Sequence, residues 1–322
     1  MSISTIEQPV NFTSGEKQPT HLLASSDFNA AQFRLILDLS KELKAQWKSN
    51  PQTIHHVENR LMAMIFEKQS LRTRVSFETA FHELGGHASY LTKNDIEMGK
   101  RESIGDTAQV LSRWCTLIVA RLNRHKDIVE LAKHATVPVI NALTDQEHPC
   151  QALADLLTIE EQFCLKKLKV VWVGDGNNVA NSFAVTAARL GHEVVVCTPP
   201  GYECDEIVYK HDNVVQSYQP AQAVDGAHVV YTDVWVSMGQ EAEAVERMSR
   251  FAKYQVDSDL MAKADPSAIF LHCLPAVRGL EVTPEVIDGP QSKVFDQSEN
   301  RMHAQKALMK LILEGQLANH GG

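Results

Sequence analysis

Two rhythms of hydrophobic and polar positions recur along this chain. Short unbroken apolar runs fall at 61–66, 117–122, 137–141, 170–173, 193–197, 228–232 and 268–272. Runs of that kind, bounded by polar residues, read as strands of a parallel sheet covered on both faces. Between them, apolar positions return at helical spacing. Phe33, Ile36, Leu37 and Leu43 share one side of a helix that begins soon after Asp27. Further helices are predicted at 73–84, 128–134, 151–163, 179–190 and 300–317,. Local punctuation agrees: Ser103 can cap a helix running to about Trp114, Gly85-Gly86 can end the 73–84 helix in a left-handed turn, and Pro149 can open the next,. The first twenty residues are polar and aperiodic, and are expected to form a loose arm.

Strands alternating with helices predict an α/β protein. The expected architecture is two doubly wound parallel-sheet domains, 1–150 and 151–322, joined by a bridging helix at 151–163,. A length of 322 residues, about twice that of a usual domain, suits two domains sharing one cleft,. The formal net charge of -9 speaks against general nucleic-acid binding, so an anionic substrate must be met by a local cluster of cations,. Six cysteines (Cys115, Cys150, Cys164, Cys197, Cys204, Cys273) occur without a CxxC pair, which offers neither a zinc site nor a disulfide framework,. No basic-then-apolar leader and no apolar run of the ~20 residues needed to span a bilayer is visible, so a cytoplasmic protein is expected,.

Ligands of parallel α/β sheets bind beyond the carboxyl ends of the strands, so the polar residues just after each apolar run carry the functional reading. Ser70-Leu71-Arg72-Thr73-Arg74 lies between a strand and a helix, where a hydroxyl, backbone N–H groups and a guanidinium could cradle a phosphate,. A plain helix cap with solvated arginines fits that segment equally well. Arg121 ends a strand. His148-Pro149-Cys150-Gln151 opens the bridging helix with two polar side chains one turn apart,. Gly174-Asp175-Gly176-Asn177-Asn178 begins like a dinucleotide fingerprint, but Ala180 and Asn181 follow where its last glycine belongs,. Asp233-Val234-Trp235-Val236-Ser237-Met238-Gly239 and His272-Cys273-Leu274-Pro275 each follow an apolar run.

In this order, the Ser-x-Arg-Thr-Arg, His-Pro-x-Gln, Asp-x-Trp-x-Ser-Met-Gly and His-Cys-Leu-Pro motifs resemble those of the aspartate/ornithine carbamoyltransferase family, over about residues 22–317. The last two resemble its ornithine branch, since the aspartate branch carries Pro-Leu-Pro after its histidine. The resemblance implies transfer of a carbamoyl group from carbamoyl phosphate to the side-chain amine of L-ornithine, with no metal or organic cofactor. It implies that Ser70, Leu71 (through its backbone N–H), Arg72 and Thr73 bind the phosphate. Arg121, His148 and Gln151 would hold the carbamoyl group, and Arg301 would reach in from a final helix that packs back on the first domain. Asn178, Asp233, Ser237 and Met238 would bind ornithine, with Cys273 and the Leu274 carbonyl near the attacking amine. His87 matches a position that reaches a neighbouring subunit's phosphate, in a homo-oligomer built of trimers. Many members have Thr where this chain has Leu71, which removes one hydroxyl donor.

Such residues suit the chemistry. As the amine attacks, the carbonyl oxygen gains charge that Arg121, His148 and Thr73 can stabilise, and Arg72 can hold the departing phosphate. An alkyl amine titrates near ~10.4, so ornithine must lose a proton before it attacks. Cys273, Asp233 or the leaving phosphate can take that proton, and the residues alone do not choose among them. Competing expectations are a nicotinamide-dependent dehydrogenase, which the broken glycine pattern disfavours, and an inactive relative, which would be expected to have lost a charged site residue. Putrescine or N-acetylornithine is the alternative amine substrate.

Overall fold

The structure, a computed structural model, describes residues 19–50, 57–163, 167–237 and 239–317. The first half contains α1 (Ala30–Ser49), β1 (Leu61–Phe66), α2 (Leu71–Glu83), β2 (His87–Thr92) and the short α3 (Lys93–Ile96). It continues with α4 (Ile104–Trp114), β3 (Leu117–Arg121), α5 (His125–His134) and β4 (Val139–Leu143). After α6 (Pro149–Phe163) come β5 (Lys169–Val173), α7 (Asn178–Arg189), β6 (Glu193–Cys197), β7 (Val214–Ser217), α8 (Pro220–Val224) and β8 (Val229–Thr232). The chain closes with α9 (Ala244–Phe251), α10 (Ser258–Met261), β9 (Ile269–His272), α11 (Pro284–Ile287) and α12 (Val294–Leu313).

Among the described residues the strands form two all-parallel sheets, ordered β2-β1-β3-β4 and β7-β6-β5-β8-β9. Each order reverses once, between β1 and β3 in the first sheet and between β5 and β8 in the second. These are the places where diverging loops open a crevice. One hydrophobic cluster runs through both halves, from Phe33 and Met64 through Leu156 to Trp172, Phe183 and Leu308. The final helix packs against α1, α2 and α6, which returns it to the first domain as expected.

Local signals explain most boundaries. Asn29 caps α1 through a capping box with Gln32, and Ser103 accepts the Asp106 N–H to start α4,. The 73–84 helix begins earlier than its apolar positions suggested, because Ser70 accepts the Thr73 N–H at 3.2 Å and caps α2 from Leu71. At its far end Gly85 adopts φ 93°, and Gly86 donates to the Phe81 carbonyl at 3.0 Å, the left-handed stop expected there,. The closing helix differs from its expected span. It spans Val294–Leu313, not 300–317, because its first turn presents Phe295 and Asp296 to solvent and so carries no apolar stripe.

Candidate active site

The segments singled out in the sequence gather at the carboxyl ends of the strands, at both crevices. Ser70, Arg72 and Thr73 follow β1, and Arg121 ends β3. The register of β3 against β4 slips between Ala120 and Arg121, a bulge of the kind that re-aims a side chain beside a functional site,. Asp233 follows β8, and Cys273 and Leu274 follow β9. His148 and Gln151 sit at the start of α6, between the two sheets.

Cations dominate the first-domain side. Arg301, buried on α12, donates to Gln151 Oε1 at 2.6 Å and to Thr73 Oγ1 at 3.1 Å. Arg121 is also buried, and the Nε atoms of Arg121 and Arg301 have no hydrogen-bond partner among the described residues. Burial, then the neighbouring Arg301 and Arg72, lower the Arg121 guanidinium to about 10, so it remains charged at neutral pH. The same surroundings push His148 well below the usual histidine range, with burial first and Arg301, Arg121 and Arg72 after it. His148 is therefore a neutral imidazole, able to donate one N–H to a carbonyl oxygen without adding charge. Holding three guanidinium groups so close is unfavourable by itself and becomes favourable around an anion.

The His148 backbone is locked from the second domain. Its N–H donates to Ser182 Oγ at 2.7 Å, and Ser182 in turn donates to Glu147 Oε2. Glu147 also accepts from the Ser25 hydroxyl at 2.9 Å. Neither Glu147 nor Ser182 was singled out in the sequence.

A single carboxylate dominates the second-domain side. The Asp233 carboxylate accepts from Asn177 Nδ2 at 2.8 Å, from the Val234 N–H at 2.8 Å and from the Cys273 thiol at 3.1 Å. Burial and the adjacent Asp233 push the Cys273 thiol well above its ordinary value, so it stays protonated and acts as a donor. Asn177, missed in the sequence, caps α7 with its Oδ1 and steadies Asp233 with its Nδ2. Leu274 takes a left-handed backbone, φ 58°, held by its N–H donating to His272 Nδ1 at 2.9 Å,.

Asp233, His272 and Cys273 offer ligand atoms within 4.8 Å of one another, a spacing a metal ion could bridge. His272 is not available to it. Its Nδ1 accepts from Leu274, which leaves its proton on Nε2 facing Glu281 Oε1 at 3.2 Å,.

The remaining expected residues are placed less simply. Asn178 Nδ2 donates to the Thr144 carbonyl at 2.6 Å, a tie between the domains, so in this conformation Asn178 offers a ligand only its Oδ1. Ser237 lies beyond β8 with its N–H on Gln240 Oε1 at 3.0 Å, and Met238 falls outside the described residues. Leu71 is exposed on the first turn of α2. His87 pairs with Leu61 at the start of β1, whereas the Ser70–Thr73 segment follows Phe66 at its end. A strand of that length separates the two by roughly 15 Å at ~3.3 Å per residue, so His87 does not reach its own loop.

The Gly174–Asn178 turn has a structural explanation. A Cβ on Gly176 would lie 2.4 Å from the Cys204 backbone nitrogen, so only glycine fits under the 202–204 loop,. Asp175 is bound to Arg247 at 2.9 Å rather than turned to the cleft.

Comparison with known proteins agrees with this arrangement. The model of the aspartate/ornithine carbamoyltransferase carbamoyl-P binding domain matches residues 20–161, and that of the Asp/Orn binding domain matches residues 166–312. The anabolic ornithine carbamoyltransferase of Pyrococcus furiosus is 51% identical over 304 residues, covering 91% of this chain and 96% of that protein. The chloroplastic ornithine carbamoyltransferase of Pisum sativum is 49% identical over 89% of this chain and 78% of its own length. The solved Pyrococcus furiosus structure superimposes with a TM-score of 0.89 at 50% identity, covering 92% of this chain and 98% of that one. The Thermus thermophilus structure gives 0.84 at 43% identity over 92% of this chain and all (100%) of that one. With both domain models matched in sequence and a cation cluster facing a carboxylate–thiol pair across the cleft, the chain belongs to the aspartate/ornithine carbamoyltransferase family.

Proposed function

We propose that this protein transfers the carbamoyl group of carbamoyl phosphate to the side-chain amine of L-ornithine, giving L-citrulline and phosphate. The observation that carries the reading is the convergence of Arg72, Arg121 and Arg301 opposite Asp233 and Cys273, an anion site facing a cation site. In this reading residues up to about 150 form the domain for carbamoyl phosphate and the rest, less the returning α12, the domain for ornithine. Ser70, Arg72, Thr73 and the Leu71 N–H hold the phosphate. Arg121 and the neutral His148 donate to the carbonyl oxygen as it gains charge. Gln151 Oε1 accepts from the carbamoyl NH2 group. Asp233, with Asn178, Ser237 and Met238, binds ornithine, and the Cys273 thiol and Leu274 carbonyl flank the amine. Because the thiol stays protonated, Asp233 or the leaving phosphate is the group that receives the amine's proton. Much of the acceleration comes from holding two small molecules in contact.

Phosphate release measured side by side with ornithine, putrescine, N-acetylornithine and aspartate tests the assignment. Ornithine is expected to lead by at least tenfold. A putrescine rate equal to it would mean that the α-amino acid end is not recognised, and release with aspartate alone would place the chain in the other branch.

We further propose that the enzyme is a cytoplasmic homo-oligomer of trimers serving arginine biosynthesis. No described helix is long and apolar enough to cross a membrane. His87, remote from its own phosphate loop, serves the site of a neighbouring subunit. Mixing inactive His87→Ala chains with inactive Arg72→Ala chains is then expected to restore part of the activity. Hybrid oligomers confirmed by native mass measurement but still inactive would make His87 a structural residue.

A further inference from the structure

Behind the cation cluster lies a buried carboxyl group that the mechanism above does not use. Asp155, on α6 one turn beyond Gln151, is fully enclosed. Its Oδ1 accepts from Gln151 Nε2 at 2.8 Å and from Gln297 Nε2 at 2.7 Å. Each glutamine is held at its other end by a group that can only donate. Arg301 Nη1 donates to Gln151 Oε1 at 2.6 Å, and the His272 N–H donates to Gln297 Oε1 at 3.0 Å. An amide between an acceptor on one side and a donor on the other has a single satisfactory orientation. Asp155 therefore fixes which end of Gln151 is oxygen and which is nitrogen, and it braces the strand end that carries Cys273 through Gln297.

The orientation has a consequence for substrate choice. Carbamoyl phosphate differs from acetyl phosphate in carrying NH2, a donor, where the other carries a methyl group. A carbonyl oxygen turned toward that position rewards the donor and gains nothing from the methyl. We propose that Asp155 is a positioning residue that makes the site selective for the carbamoyl NH2 group, by holding Gln151 with its Oε1 toward the substrate. The proposal rests on the placement of Gln151 against that NH2 given above. Burial raises the Asp155 carboxyl to about 7, and the Tyr231 hydroxyl lies beside it. A proton taken up on Oδ2 leaves Oδ1 an acceptor, so the clamp does not require the charge.

The test compares equilibrium binding of carbamoyl phosphate and acetyl phosphate to the full-length enzyme, by calorimetry. Asp155→Leu, which removes the acceptor at similar volume, is expected to shrink the preference for carbamoyl phosphate by roughly tenfold, the worth of one well-placed hydrogen bond. Asp155→Asn keeps a carbonyl oxygen in place and is expected to retain the preference, which a purely electrostatic role would not allow. In a Gln151→Ala background, Asp155→Leu should remove nothing further. If Gln151→Ala itself leaves the preference intact, the placement of Gln151 is wrong. If Gln151→Ala abolishes the preference and Asp155→Leu leaves it whole, the role of Asp155 is wrong. Should Asp155→Leu fail to fold, Asp155→Ala, which removes the same acceptor, supplies the second test: it should shrink the preference alike, and an unchanged preference there overturns the proposal.

Discussion

Replacing Arg72 with alanine is expected to lower kcat/KM for carbamoyl phosphate by at least 100-fold while leaving the folded protein as stable as before, or more so. The two halves of this expectation come from the same feature. Arg72 stands beside Arg121 and Arg301, each of which it makes harder to keep charged. Without substrate, that proximity is repulsive, and removing one guanidinium relieves it. The α2 start is unaffected, because its cap is the Ser70 hydroxyl accepting from Thr73, and alanine is a strong helix former,. In the proposed reaction the same guanidinium makes charge-assisted hydrogen bonds to the phosphate that strengthen as the leaving group gains charge. Loss of one such donor commonly costs about two to three powers of ten in rate. Initial rates paired with thermal melting decide the matter. A variant that keeps more than about a tenth of the wild-type activity, or one that loses activity only because it melts early, would remove Arg72 from the phosphate site. This trade between stability and function is what a site built for an anion predicts.

The parts of this protein that were legible in its sequence are those where one local cause decides the outcome. Strands such as β1 and β6 are unbroken apolar runs because both sheet faces are covered, and their bounds fall where the pattern places them. The edge strands β2 and β7 escaped notice. Their residues are half-exposed, so His87–Thr92 and Val214–Ser217 carry polar side chains that dilute the signal,. The site divides in the same way. Residues that follow strands could be found by position, and the four motifs fell in the expected order. Asn177, Asp155, Gln297, Glu147 and Ser182 could not. Their roles come from contacts with residues far along the chain, such as Gln297 with Asp155 and Asn177 with Asp233, and no local spacing encodes such pairs. Burial also settled what residue type alone left open. Cys273 was a candidate to take the proton of the attacking amine until its enclosure beside Asp233 marked it as a protonated donor.

Asp233→Asn is expected to lower kcat/KM for ornithine by about 100- to 1,000-fold, the usual range when one partner of an enclosed charge pair is lost. The carboxylate accepts from three donors, Asn177, Val234 and Cys273, and its two oxygens still have lone pairs for a substrate ammonium,. An amide puts a donor where one of these must be accepted, so the cation loses its counter-charge and the loop its anchor together. Binding of carbamoyl phosphate alone should not weaken, because removing a negative charge opposite the arginines can only favour an anion. Cys273→Ser should behave differently. A hydroxyl can still donate to Asp233, so a fall of tenfold or less is expected. Had Cys273 acted as a thiolate base, serine, which titrates far higher, would cost as much as Asp233→Asn. Steady-state rates for the two variants at saturating carbamoyl phosphate, with the binding constant of carbamoyl phosphate measured separately, distinguish the cases. Equal losses in both variants would assign the proton to Cys273, and weakened carbamoyl phosphate binding in Asp233→Asn would mean that Asp233 organises the whole cleft rather than the ornithine side of it.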